Sequence, residues 1–173
     1  MPSKKDVKNL GNVIKLMSEQ VESLQREFMH VLAGKAKIVN SVPHYPDNPQ
    51  ATDGIKKGVS SLIEGSLLVY LFAMWESYVP DDVNGLLAPK ELQRLDAFKH
   101  VRDSVAHKHK GGRADFPPRR KAFNALYPFS GIKWDKGSDT IDLSDSSVAR
   151  DCHQFMESLT KELVVQLAKK AKL

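Results

Sequence analysis

In the stretch Arg102-Asp103-Ser104-Val105-Ala106-His107, an arginine and a histidine are separated by four residues, with a carboxylate directly after the arginine. These residue types can do chemistry together. A guanidinium is permanently charged and presents a rigid fork of donors that fits a phosphate. An imidazole gains and loses a proton near neutral pH. The pair is sufficient to cleave RNA without a metal. Past His107 the chain enters a basic, glycine-broken loop, Lys108-His109-Lys110-Gly111-Gly112-Arg113.

Spacing alone does not select this pair. With seven arginines and six histidines in 173 residues, chance supplies about 0.7 occurrences of Arg-x(4–6)-His. The chain holds Arg94 to His100, Arg102 to His107 and Arg102 to His109. Position favours Arg102. On a helical wheel it falls within roughly 45° of the centre of the stripe Leu95, Phe98, Val101 and Val105, so it faces protein. A guanidinium there needs a counter-charge, and Glu76 offers one as the lone charge between Leu67 and Val79.

Two readings of Glu76 and Arg102 stay open. In one they are a packing device, and removing Arg102 costs roughly 3–5 kcal/mol by stranding a buried carboxylate. In the other, Glu76 or Asp103 fixes the guanidinium so that it points into a cleft. His107 lies about 140° further around an ideal helix, so the two side chains converge only where the helix loosens, as Gly111-Gly112 would allow. A histidine at a helix C-terminus is also a favourable dipole partner without any chemistry. His100, His107 and His109 have no carboxylate or cysteine at ligand spacing, so no metal and no cofactor are expected.

The basic segment, with Lys108, His109, Lys110 and Arg113 and then Arg119, Arg120 and Lys121, holds one acid, Asp115. It is either a solvated surface or a contact for the RNA backbone. Phe116, Tyr127, Phe129 and Trp134 are near enough in sequence to stack a base, or else they cover the core.

The elements that would position these groups are helical. Leu10, Val13, Ile14, Met17, Val21, Leu24, Phe28, Val31 and Leu32 recur at helical spacing and predict a long amphipathic helix from about Lys4 to Val39. Three prolines between Val42 and Pro49 break it. A second helix is predicted from about Gly54 to Val79, and its apolar half from Leu67 onward makes it the central one. Pro89 opens a third, running to about His107 with Leu92, Leu95, Phe98, Val101 and Val105 inward. A short helical piece is predicted over Arg119 to Leu126. Around Asp135-Lys136-Gly137-Ser138-Asp139, the runs Ile132 to Trp134 and Thr140 to Leu143 predict a small β-hairpin or irregular excursion. Ser144 or Ser146 caps a last helix to about Lys170, with Val148, Cys152, Phe155, Met156, Leu159, Leu163 and Leu167 inside. The expected fold is an all-α bundle of four or five helices, with the small insertion near residues 128–143, forming one domain over residues 1–173.

Composition narrows the function classes. Hydrophobic residues at 41% and charged residues at 27% fit a soluble globular protein. The net charge of +5 permits a nucleic-acid partner without demanding one. One cysteine, Cys152, excludes an internal disulfide and fits a reducing cytosol. The charged start has no apolar stretch behind it, and the run Leu67 to Trp75 is short of the roughly 20 residues of a membrane span, so a cytoplasmic protein without a membrane partner is expected.

Arg102-Asp103-x-x-Ala106-His107 at a helix end, with Met74-Trp75-Glu76-Ser77-Tyr78-Val79 on the preceding helix, resembles the HEPN superfamily signature and the Trp-Glu segment of several of its prokaryotic groups. The likeness spans most of the chain. It implies a metal-independent endoribonuclease that dimerises to bring two Arg–His pairs into one cleft. It further implies a toxin or antiviral-defence role beside an antitoxin or nucleotidyltransferase-type partner. Arg102 would hold the scissile phosphate and His107 would act as acid–base on the 2′-hydroxyl or the leaving 5′-oxygen. Products would end in 2′,3′-cyclic phosphate and 5′-hydroxyl. Asp103 would orient Arg102 or His107, with Glu76 supporting from behind. The alternative is a non-catalytic helical module that binds RNA, a nucleotide or a partner protein.

Overall fold

The computed structural model describes residues 4–79, 85–106, 133–134 and 141–171. Within these, the chain is all-α: α1 (Lys4–Asn40), α2 (Pro49–Tyr78), α3 (Pro89–Ala106) and α4 (Val148–Ala171). A minimal hairpin accompanies them, β1 (Lys133–Trp134) pairing antiparallel with β2 (Ile141–Asp142), Lys133 opposite Asp142 and Trp134 opposite Ile141. The expected helical piece over Arg119 to Leu126 lies outside the described residues.

Helix α2 starts at Pro49, five residues before the expected Gly54. The last proline of the break is the first residue of the helix, where its missing N–H costs nothing and its fixed φ suits the turn. Asn48 caps this end by accepting a hydrogen bond from Ala51 N at 3.0 Å. At the other end Val79 is extended, donating to Trp75 O at 2.9 Å, as expected of the residue before Pro80. Helix α3 likewise opens on proline, and Glu91 reaches back to accept from Ala88 N at 2.8 Å. Helix α4 starts one residue beyond the expected caps: Ser147 O accepts the first turn bond from Asp151 N at 2.9 Å.

Helix α2 is central, packing against α1, α3 and α4. Leu67, Leu68, Leu71, Phe72 and Trp75 are buried in a core shared with Met17 and Phe28 of α1, Phe98 and Val101 of α3, and all seven expected residues of α4. Phe28 stacks on His153 at 4.5 Å, and Phe98 meets Phe155 at 5.7 Å. Two expected core positions face outward instead, Val31 at 44% and Leu92 at 36% exposed, each at the edge of its helix's apolar stripe. Leu10, Val21 and Leu24 lie outside the described side chains. By length and composition α2 is apolar enough to cross a membrane, but its inner face is spent on the core.

Gly65 sets how closely α3 approaches. A Cβ there would stand 2.6 Å from Val105 Cγ1, so only glycine admits this contact. The last turn of α3 is therefore seated directly on α2.

Candidate functional site

The site is built where α3 crosses the end of α2. Arg102 reaches across to Glu76, donating from Nη2 to Oε1 at 3.1 Å and from Nη1 to Oε2 at 3.3 Å. This is the two-pronged geometry in which a guanidinium binds a carboxylate most strongly. The guanidinium also lies over the Phe72 ring, 5.0 Å from its centroid. Asp103 supplies a third constraint, its Oδ1 lying 2.7 Å from Arg102 Nε. The N–H does not point along that line: Nε is buried with no hydrogen-bond acceptor among the described residues, so the contact is one of charge.

Burial differs across the trio. The side chain of Arg102 is 16% exposed, while Glu76 keeps 48% of its surface open. The pair thus sits at a rim and not in the interior. Of the five guanidinium donors, Glu76 takes two. One N–H on each terminal nitrogen has no acceptor among the described residues.

Three of the predicted site residues, Arg102, Asp103 and Glu76, are therefore brought together. His107, expected to complete the site, lies outside the described residues, as do Lys108, His109, Lys110 and Arg113, and also Phe116, Tyr127 and Phe129. His107 follows Ala106, the last residue of α3. Trp134 belongs to β1.

The rival spacing is otherwise engaged. Arg94 lies over the Phe155 ring at 4.8 Å, and His100 Nε2 faces Asp96 Oδ2 at 3.2 Å, one turn back on its own helix. Arg94 and His100 stand about 120° apart on α3, and each is already engaged by a neighbour of its own. Among the described residues, no three of His, Cys, Asp and Glu gather as metal ligands would.

A second polar cluster was not foreseen. Glu64, on α2, is buried to 3% side-chain exposure, pairs with Lys35 of α1, and accepts from Ala149 N at the start of α4 at 3.2 Å. Beside it Ser60 Oγ donates to Ser144 O at 2.7 Å, and Ser61 Oγ accepts from Leu143 N at 3.2 Å. The signal was present: Ser60, Glu64, Leu68 and Leu71 lie on one helical stripe, so Glu64 had to point inward.

A scan against protein-family models, a search of curated proteins and a search of solved structures each return no match to this chain.

Proposed function

We propose that this chain is a HEPN-like, metal-independent endoribonuclease. It acts as a homodimer on cytoplasmic RNA, as a toxin or antiviral-defence effector. The observation that carries the reading is the held guanidinium of Arg102. It is fixed by Glu76, Phe72 and Asp103, with one N–H on each terminal nitrogen unclaimed among the described residues, five residues before His107. Pinning a phosphate-binding group before substrate arrives removes the ordering cost at the moment of reaction.

In the proposed reaction the 2′-oxygen attacks the adjacent phosphorus and the 5′-oxygen departs. Arg102 neutralises charge building on the non-bridging oxygens. His107 takes the proton from the 2′-hydroxyl or delivers one to the 5′-oxygen, depending on which copy of the pair faces which side. The cations Lys108, His109, Lys110 and Arg113 hold the flanking backbone.

A second reading has a specific observation in its favour. The same fork that holds Arg102 gives Glu76 two of its five donors and stacks the remainder on Phe72, which is what a packing device would do in a non-catalytic module that binds RNA, a nucleotide or a partner protein. Cleavage of RNA by purified protein in excess EDTA, with the product ends mapped and His107→Ala alongside, separates the two. Cyclic-phosphate ends from wild type alone support the nuclease. A folded wild-type dimer that leaves total cellular RNA intact supports the module.

A further inference from the structure

We propose that two copies of this chain pair through the outward face of α2 and the edge of α1 beside it. In this the interface rests on the homodimer of the proposed function, but not on its ribonuclease chemistry. Ile55, Gly58, Leu62, Ser66, Val69 and Ala73 recur at spacings of three and four, so they share one stripe of α2. All are exposed except Val69, which is half-buried. Leu62, at 68%, is the most exposed large apolar side chain among the described residues. Glu76 follows three residues after Ala73, so the Arg102 site borders the stripe.

Helix α1 widens this surface. The Tyr70 hydroxyl donates to Glu27 Oε2 at 2.7 Å, which sets the Glu27 edge of α1 beside the stripe. Val31 and Ile38, 44% and 49% exposed, follow Glu27 along that edge. A Cβ added at Gly34 of α1 or Gly58 of α2 would meet nothing within 4 Å, so both positions are open. From Ile55 to Ala73 the stripe runs about 27 Å, and a second helix packed alongside broadens the surface to about 20 Å. That is about 500 Å² on each copy and about 1,000 Å² in a pair, the size at which a specific interface becomes stable. It is also as large as the largest apolar patch a monomer ordinarily exposes.

Charge and shape identify the occupant. Between Gly58 and Trp75 the one charged residue of α2 is Glu64, which is buried and paired with Lys35. Glu27, at the seam with α1, is engaged by Tyr70. The stripe is therefore uncharged on a chain of net charge +5. Nucleic acid and anionic lipid are both drawn to cations, which the stripe does not offer. Two copies repel each other through their surplus charge, and an uncharged strip is where they can meet. The stripe also complements itself. Its large residues, Ile55, Leu62 and Val69, stand seven apart, with the small residues Gly58, Ser66 and Ala73 between them. A second α2 can set its large side chains over the small ones and receive those of the first in return, as a two-fold interface requires.

The test is sedimentation equilibrium of the full chain, wild type beside Leu62→Lys, Ser66→Arg and Val165→Lys, with helix content checked by circular dichroism. Wild type should be a dimer at micromolar concentration. Leu62→Lys buries a charge at the interface on each copy and should weaken the dimer by about 100-fold or more. Ser66→Arg adds bulk at an exposed position, so the monomer keeps its fold while the close pairing is lost. Val165, 51% exposed on α4, makes the same apolar-to-cation change off the stripe, and its variant should remain a dimer. A wild-type dimer that Leu62→Lys and Ser66→Arg dissociate supports the interface even if the protein cleaves no RNA, which would remove the nuclease alone. A dimer that both variants leave intact overturns the interface and leaves the nuclease untouched. A wild type that stays monomeric at 100-fold higher concentration also overturns it, and a lower melting temperature for Leu62→Lys in that monomer would assign the cover of Leu62 to the same chain.

Discussion

Arg102 and Glu76 meet fork to fork across α2 and α3, at 3.1 and 3.3 Å, yet Glu76 remains 48% exposed. That exposure decides the energetics. The roughly 3–5 kcal/mol expected for stranding a buried carboxylate does not apply to a group that water can still solvate. Arg102→Ala should lose about 1–2 kcal/mol, combining a modest rim ion pair with the stack on Phe72. Urea denaturation measures this. A loss of the larger size would show that Arg102 is chiefly a packing device.

The costly ion pair lies elsewhere. Lys35 and Glu64 are 18% and 3% exposed, and Glu64 also holds the start of α4 through Ala149 N. Lys35→Ala strands a buried carboxylate, and about 3–5 kcal/mol should be lost. Denaturation curves should therefore rank Lys35→Ala well below Arg102→Ala. The reverse order would contradict the burial argument for both pairs.

Gly65 predicts a backbone effect on the site. Its added Cβ would stand 2.6 Å from Val105 Cγ1, so Gly65→Ala forces α3 away from α2 at the turn that leads to His107. Overpacking of this kind costs about 1–3 kcal/mol. The double variant Gly65→Ala/Val105→Ala should regain much of the stability lost through the clash, seen as a melting temperature above that of Gly65→Ala alone. Melting temperatures that simply add would show that the two residues do not collide.

His153 makes stability depend on pH. Burial against Phe28 lowers its pKa below the ordinary 6.5, with Glu157 opposing weakly. The unfolded chain then binds the proton more readily than the folded one. Stability is full above pH 6.5 and falls as pH drops through the folded pKa. Melts between pH 7.5 and 5.5 should show a decline that His153→Phe flattens. An equal decline in both proteins would assign the effect to other groups.

The helices were legible in the chain because their apolar residues recur at helical spacing and their ends carry recognisable caps. Helix α3 opened on Pro89 as expected, and the Glu76–Arg102 pair followed from two charges that each lacked another partner. The start at Pro49 is not decided by sequence, because a proline breaks a helix interior yet favours its first turn. Glu64 does not stand out in the sequence because it precedes the uninterrupted apolar run that isolates Glu76. Its partners, Lys35 and Ala149 N, are 29 and 85 residues distant, and no local pattern encodes such a meeting. The freedom left in the Arg102 fork is likewise a property of three-dimensional geometry.

The most direct test of the central claim is the RNA cleavage rate of Arg102→Lys, read beside its melting temperature. Lysine keeps the charge and much of the pairing with Glu76 but loses the fork that can hold Glu76 and a phosphate together. The account predicts a melting temperature within a few degrees of wild type and a rate down by about 100-fold or more. A lysine variant that cleaves within a few-fold of wild type would contradict it, since the fork of Arg102 would then have no part in the reaction.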